Sequence, residues 1–220
     1  MFVRSCLLVC CALVGLCIDT STSLADDRVT EAEVKAAMRK AANFYRTKVA
    51  VHGGYVYHYS PDLSVRWGEG LATPEQIWVQ PPGTPTVGMA YLKAYGATGD
   101  AFYLDAAREA AEALVFGQLR TGAWTNSIDC KPREQGYPFS GGNKRRDGFS
   151  SLDDGQSQSA IQLVALVDEA LDFKHAKIHE AVMLALDTLL AAQFPNGGFP
   201  QGWNGPVSKQ PILKANYPQH

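Results

Sequence analysis

Three observations predict an all-α fold, and more specifically an α/α toroid of helical hairpins with long loops at one end. Apolar residues recur at helical spacing in five segments. Short turns join the later helices in pairs, and a glycine-aromatic sequence follows three of the helices. Hairpins with long loops between them can close on one another as a ring.

The first helix is predicted over residues 30–48. Thr30 and Glu33 form a capping box, in which each side chain satisfies a free backbone N–H at the helix start. The aromatic and alternating stretch 53–59 predicts a short strand or an extended segment. Residues 60–85 contain several Pro and Gly residues and predict a long ordered loop.

Two helical hairpins follow. In the first, a helix over 86–95 turns at 96–99 into a helix that Asp100 caps and that runs to about Leu119. The second pairs helices over 156–171 and 175–193. A short link makes two helices antiparallel neighbours. The more apolar first helix of each hairpin is expected on the inner side of the ring.

An internal repeat supports the toroid. The sequences Gly53-Gly-Tyr-Val-Tyr, Thr121-Gly-Ala-Trp-Thr and Asn196-Gly-Gly-Phe-Pro follow successive helices at a spacing of about 70 to 75 residues. A tetratricopeptide solenoid is the alternative, but its repeats are roughly half as long. Because a ring should continue with another inner helix, we expect these residues to be an N-terminal portion of a longer toroid.

The composition narrows the classes of partner. The 220 residues are 46% hydrophobic, enough for one domain over 26–220, and the formal net charge is −2. This balance predicts neither nucleic acid nor an anionic membrane as a partner, although a local basic cluster can still bind an acidic polymer. No phosphate-binding glycine loop, nucleophile elbow or dinucleotide motif is found.

The N-terminus predicts export. A short basic segment, Met1–Arg4, precedes the apolar run Ser5–Ile18, and Ser23-Leu24-Ala25 matches a cleavage site. Residues 1–25 are therefore predicted to be a signal peptide, with a short membrane anchor as the alternative. Cleavage leaves a mature chain from Asp26 that has no membrane span and is periplasmic or extracellular.

Cysteine usage fits this compartment. Four of the five cysteines lie in the predicted signal peptide, which leaves Cys130. The mature chain therefore has neither an internal disulfide nor a cysteine metal site. Export without disulfides suits a bacterial periplasm better than a eukaryotic secretory route.

Asp153 and Asp154 are the strongest candidates for chemistry. These adjacent carboxylates stand in Gly148-Phe-Ser-Ser-Leu-Asp-Asp-Gly, directly before an apolar helix. One Asp could serve as the N-cap of that helix. The functional interpretation is a hard-cation site or an acid/base pair, because two carboxylates can hold Ca²⁺ and leave it open to a substrate.

A second candidate segment runs from Ala192 to Gln201 and contains a tight turn at Asn196. Phe199 and Trp203 offer flat apolar faces in or beside it, as does Phe194. Sugar rings stack on such faces, and ordinary cores contain them too. Residue types alone leave both interpretations open.

Both segments resemble a known family. Gln193-Phe-Pro-Asn-Gly-Gly-Phe-Pro-Gln201 resembles the Gln-Tyr-Pro-Asn-Gly-Gly-Trp-Pro-Gln signature of the family 10 polysaccharide lyases, which are pectic acid lyases. Phe149-Ser-Ser-Leu-Asp-Asp-Gly-Gln-Ser157 is similar to the family's Ser-Thr-Ile-Asp-Asn-Asx-Ala-Thr segment. The resemblance covers roughly residues 85 to 201, and the sequence departs from it at Asp154 and over 155–157.

The resemblance implies an α-helical toroid that cleaves polygalacturonate, or a related acidic polysaccharide, by Ca²⁺-assisted β-elimination. Asp153 occupies the family's Asp position and is implied to act in catalysis and, with Asp154, to bind the cation. Asp154, Asn196, Phe199 and Trp203 are implied to contact substrate. The arginine base of the family is expected in a later part of the toroid.

Basic residues are further candidates for binding uronate carboxylates. The cluster Lys144, Arg145 and Arg146 lies shortly before Asp153. The alternative interpretation is that these are solvated loop charges with no binding role. Arg66 and Trp67 form a similar, weaker pair in the Pro/Gly loop.

Two other functions are considered. A hydrolase on the same kind of ring would use Asp153 or Asp154 with Glu134 or Glu69. A non-catalytic glycan-binding protein would use the Asp pair as a cap and the aromatic residues as core. His175 and His179 have metal-ligand spacing but lack the His-Glu-x-x-His pattern.

Overall fold

The computed structural model describes residues 29–130 and 148–205, and 54% of it is helix. The predicted all-α class is therefore confirmed, while the toroid stays a prediction. The described helices are α1 (Glu31–Phe44), α2 (Thr84–Thr98), α3 (Ala101–Gly117), α4 (Gln156–Ala170) and α5 (Ala176–Ala192). Each of them lies within a few residues of its predicted bounds.

Helix α1 begins as the sequence predicts and ends differently. Thr30 and Glu33 form the capping box, with the Thr30 hydroxyl accepting from the Glu33 N–H at 3.3 Å. The last turn, Tyr45–Val49, is a π-helical turn, and α1 itself has no buried residue. Because α1 buries so little surface, it lies at the margin of the described core.

Helix α3 lies at the centre of the packing. It contacts α2, α4 and α5, and its buried face is mostly alanine. Small side chains let the neighbouring helices approach closely. The sequence predicted the more apolar α2 and α4 on the inner side, whereas burial is greatest along α3, because alanine lowers the apolar signal of a buried face.

Gly88 sets the distance between α2 and α4. A Cβ at Gly88 would overlap the side chain of Leu163 and crowd that of Ala110. The helices therefore meet at a point where only glycine fits.

The predicted repeat is visible in the backbone. Gly53, Gly122 and Gly197 each follow a helix and have φ of 80°, 92° and 85°, which favours glycine. In each case an aromatic residue stands two positions later. Tyr55 and Trp124 are buried, but Phe199 is 41% exposed. The third repeat thus keeps the turn and presents its aromatic ring to solvent.

Three two-stranded antiparallel ladders order the loops. They pair β1 (His58–Tyr59) with β2 (Arg66–Trp67), β3 (Gln76–Trp78) with β4 (Ser127–Asp129), and β5 (Ser150–Ser151) with β6 (Gly202–Trp203). The predicted long loop 60–85 therefore contains two strands that the sequence pattern missed, since strands of two or three residues show no periodicity.

None of the described helices reaches the length and apolar content that a bilayer crossing needs.

Candidate functional site

The ladder of β5 and β6 brings the two motif segments together. Ser150 pairs with Trp203 and Ser151 with Gly202, and the Leu152 N–H donates to the Gln201 carbonyl at 2.7 Å. Asp153 follows this last bond directly. The acidic pair and the end of the Asn-Gly-Gly turn segment, about 45 residues apart in sequence, thus form one surface.

Gly202 permits this pairing. A Cβ at that position would overlap the ring of Phe149 and the carbonyl of Ser150. The glycine therefore lets β6 lie against β5 beneath the Phe149 ring.

Neither aspartate caps α4, which corrects the capping interpretation. The N-cap position is Gly155, and no side chain accepts a bond there. Asp153 and Asp154 belong to a separate 3₁₀ turn over 153–155, where both side chains are exposed. Their presence is therefore not explained by helix capping.

A network of side chains surrounds Asp154. The Gln80 amide nitrogen lies 2.9 Å from Glu69 Oε1 and 3.3 Å from Asp154 Oδ2. The two carboxylate oxygens are therefore no farther apart than the sum of these distances. Gln156 supports the network from α4 with a long 3.5 Å bond to Gln80 Oε1. The buried Gln80 holds two acidic side chains from distant parts of the chain in one place.

Tyr57 borders this network. Its ring packs edge-on against Trp78, with the ring centroids 5.8 Å apart. Burial raises the pKa of the Tyr57 hydroxyl to about 12, and the nearby carboxylates of Glu69 and Asp154 add to the shift. The hydroxyl is therefore protonated at neutral pH, so it can donate or accept a hydrogen bond but does not act as a phenolate.

The aromatic candidates separate into two kinds. Phe199 and Asn196 are exposed, as stacking and polar contacts would require. Trp203 is only 4% exposed, and its indole N–H donates to the Thr121 carbonyl at 2.9 Å. This burial corrects the expectation of an open stacking face at Trp203. An edge of Trp203 still lines a cavity of about 500 Å³ with Phe149 and Asn204.

Some candidates lie outside the described residues. These are the basic cluster Lys144, Arg145 and Arg146, the carboxylate Glu134, and the predicted signal peptide 1–25. Their proposed roles stay predictions.

The two histidines have separate structural partners. His175 caps α5 and places Nε2 3.0 Å from Glu112, whereas His179 Nδ1 lies 2.8 Å from the buried Asp168. They therefore do not share a metal site. Within 29–130 and 148–205, no group of three or more His, Cys, Asp or Glu side chains is arranged to hold a metal ion.

The described acidic side chains near Asp154 do not form a metal site by themselves. Asp153, Asp154 and Glu69 supply the carboxylate oxygens that Ca²⁺ prefers, and no Lys or Arg of the described chain forms a salt bridge with them. Ca²⁺ takes roughly 6–8 oxygen ligands. Substrate carboxylates and water would have to supply the others.

Sequence reasoning missed Gln80 and Tyr57. Gln80 lies in an unpatterned loop, and an amide there gives no signal by itself. Tyr57 was noted only as part of an aromatic stretch. What makes both residues relevant is their proximity to Asp154, which comes from folding.

Comparisons with known proteins give likenesses at the level of the fold. The chain is similar to the structure of a family 10 polysaccharide lyase from Cellvibrio cellulosa, with 22% identity and a TM-score of 0.47 over 83% of this chain and 59% of that chain. It is also similar to a mutant of that lyase in complex with trigalacturonic acid, with 22% identity and a TM-score of 0.45 over 84% and 60%. The chain thus spans about three fifths of the length of these structures. No family model matches the sequence, and no curated protein matches it.

Proposed function

We propose that this protein is an exported polysaccharide lyase, or a portion of one, that cleaves pectate or a related acidic polysaccharide by β-elimination. The observation that carries the proposal is the β5–β6 ladder, which joins the two family-like motifs into one surface. That surface presents two acidic side chains that cap no helix, and the exposed ring of Phe199.

Asp153 and Asp154 would hold Ca²⁺ only together with carboxylates of the substrate, because the described acidic side chains form no metal site by themselves. A bound calcium ion offsets the negative charge of a uronate carboxylate and makes the neighbouring C5 proton more acidic. Gln80 orients Glu69 and Asp154 through its two amide contacts. Phe199 would stack on a sugar ring and fix its position.

In the elimination, a base removes the C5 proton, a C4–C5 double bond forms, and the glycosidic oxygen leaves from C4. No water is added. The resemblance implies an arginine as the base, and we assign that role to no residue of this chain.

The direct test is the ultraviolet absorbance of polygalacturonate incubated with the purified mature chain, first with Ca²⁺ and then with chelator. Elimination leaves an unsaturated sugar, so absorbance should rise, and the rise should disappear with chelator or with Asp153→Ala. Unchanged absorbance together with unchanged reducing ends would instead favour a protein that binds glycans without cleaving them.

A hydrolase is the second candidate, because one observation favours it. Glu69 and Asp154 contact the same amide nitrogen at 2.9 and 3.3 Å, so their contacting oxygens are no farther apart than the sum of these distances. That limit includes the spacing of about 5–5.5 Å that retaining glycosidases use. Such an enzyme would release new reducing ends without the ultraviolet signal of an unsaturated sugar. Glu69→Gln should then abolish activity, whereas a lyase should keep a measurable rate.

We also propose export with cleavage after Ala25. N-terminal sequencing of protein recovered from the periplasm or medium of an expressing bacterium should begin at Asp26. Full-length protein retained in the membrane fraction would support the anchor alternative.

A further inference from the structure

Buried, unpaired hydrogen-bond donors concentrate in one small part of this protein. Among the described residues, five buried side-chain polar atoms have no hydrogen-bond partner. Four of them are donors in the segment 57–78: Tyr57 Oη, Arg66 Nε, Arg66 Nη2 and Trp78 Nε1. The Tyr57 hydroxyl can also accept a hydrogen bond. Burial raises its pKa, but a side-chain hydrogen bond with Trp78 lowers it, so these two groups partly serve one another. Unpaired buried polar groups are costly, so the two Arg66 nitrogens indicate a missing acceptor.

The β1–β2 hairpin places these donors on one face. Tyr59 pairs with Arg66, and the Tyr57 N–H extends the ladder to the Trp67 carbonyl at 2.9 Å. Since alternate residues of a strand share a face, Tyr57, Tyr59 and Arg66 point to the same side. Trp78 covers that side, because a Cβ on Gly68 would overlap its indole ring.

Arg66 is the only one of these groups that carries charge. Its side chain is anchored by Nη1, which donates to the carbonyls of Thr73 and Pro74 at 3.1 and 2.7 Å. The guanidinium lies 5.8 Å from the Tyr59 ring centre, and the residue is only 8% exposed. No carboxylate of the described chain forms a salt bridge with it. A buried cation without a counter-ion is unfavourable, so this site is suited to an anion.

The atoms left unpaired define the shape of that anion. Nε and Nη2 form one edge of the guanidinium, and this edge binds carboxylates through two parallel bonds. Arg46 shows the same arrangement filled: its Nε and Nη2 lie 2.9 and 2.6 Å from the two oxygens of Glu109. Arg66 presents the equivalent edge, but no described carboxylate lies against it as Glu109 lies against Arg46.

We propose that the Nε–Nη2 edge of Arg66 binds a carboxylate of the substrate. The inference rests on the proposed function, because it names a uronate carboxylate as the ligand. Glu69, three residues after Arg66, connects this hairpin face to the acidic pair through Gln80. One sugar unit at Arg66 and another at Asp153 would place the chain of the polysaccharide across the network.

The test is binding of trigalacturonic acid to the full mature chain in chelator, measured by calorimetry. Removing Ca²⁺ isolates the Arg66 contribution from the acidic pair. Arg66→Lys keeps the charge but loses the two-pronged edge, and should weaken binding by roughly tenfold or more. A neutral galactose trisaccharide should bind wild type no better than it binds the variant.

Arg46→Lys is the matched control. It alters the same edge of an arginine whose partner is already Glu109, so affinity for trigalacturonic acid should stay within about twofold of wild type. Equal affinity in wild type and Arg66→Lys would overturn the proposal, as would equal binding of the neutral trisaccharide to wild type.

The outcome separates the two proposals. An ultraviolet product with Ca²⁺ but no effect of Arg66→Lys on binding would leave the lyase proposal standing and overturn the Arg66 site. If binding depends on Arg66 but no ultraviolet product forms, the Arg66 site stands and the lyase proposal is overturned.

A measurement on wild type covers the case in which Arg66→Lys does not fold. With ¹⁵N-labelled arginine, the Arg66 Nε–H resonance should move on addition of trigalacturonic acid, while the Arg46 resonance should not. An Arg66 resonance that stays in place at saturating ligand would overturn the site.

Discussion

Asp154 adopts a backbone conformation that side chains rarely take. Its φ and ψ are 45° and 30°, and Gly155 follows at φ 73°, so two successive left-handed residues turn the chain into α4. Asp and Asn tolerate this region better than other residues with a Cβ. The position can therefore exchange Asp for Asn, the residue that the resembled family has, without new backbone strain.

We expect Asp153→Asn and Asp154→Asn to differ in activity. Asp153→Asn should lower the rate of unsaturated product formation roughly 100-fold, because it removes a charged ligand for the cation. Asp154→Asn should cost less than about tenfold, because the resembled family has Asn at this position and an amide oxygen can also coordinate calcium. Initial rates at saturating Ca²⁺ measure both, and circular dichroism checks the fold. A larger loss at Asp154 would contradict the assignment of Asp153 as the main ligand.

At the scale of elements, Asp100 determines where α3 begins. Its Oδ1 accepts from the Phe102 N–H at 3.0 Å, and its other oxygen pairs with Arg39. The Phe102 N–H, and after it Arg39, hold the pKa of Asp100 below its ordinary value of 3.8. A carboxyl whose pKa is lower in the folded state stabilises the fold above its unfolded pKa.

Asp100→Ala should therefore lower the melting temperature at pH 7. The difference from wild type should shrink as pH falls through the folded pKa of Asp100, below 3.8, because the protonated wild-type carboxyl loses the same interactions. Asp100→Asn is the control, since Asn caps helices about as well as Asp. A gap between wild type and Asp100→Ala that persists unchanged at low pH would refute the charge-dependent cap.

Two glycines of α2 should respond oppositely to alanine. Gly88→Ala places a methyl group against Leu163 and should cost about 1–3 kcal/mol of unfolding free energy through overpacking. Gly96→Ala meets no atom within 4 Å and should add about 0.5–1 kcal/mol, because alanine loses less backbone entropy. Denaturant unfolding compares them. Equal effects would mean that α2 and α4 are not in close contact.

At the scale of the whole molecule, calcium and substrate should stabilise the chain jointly. The acidic pair offers few protein ligands, so under the proposed function Ca²⁺ would bind firmly only when a uronate carboxylate completes its coordination. Ligand at about a hundredfold excess over its Kd adds about 2.7 kcal/mol, which raises Tm by roughly 5–10 °C.

The measurement is a thermal melt with Ca²⁺, with trigalacturonic acid, and with both. The rise in Tm with both ligands together should exceed the sum of the rises with each ligand alone. Asp153→Asn should remove this excess. Shifts that are simply additive in wild type would argue against a shared site for the cation and the sugar.

Local rules account for what the sequence by itself determined. The capping box at Thr30, the Asp100 cap and the left-handed glycines all act within a few residues, so the bounds of the helices and the internal repeat could be predicted from the chain. The acidic segment and the Asn-Gly-Gly segment could also be recognised from the sequence, as two motifs that resemble one family.

Only the tertiary structure decided which residues meet. The β5–β6 ladder joins segments about 50 residues apart, and the contact of Gln80 with Asp154 spans 74 residues. Strands of two residues have no periodicity to detect, and burial of Trp203 depends on what packs above it. The unpaired edge of Arg66 is likewise invisible in sequence, because an absent partner is a property of the assembled surroundings and not of the residue.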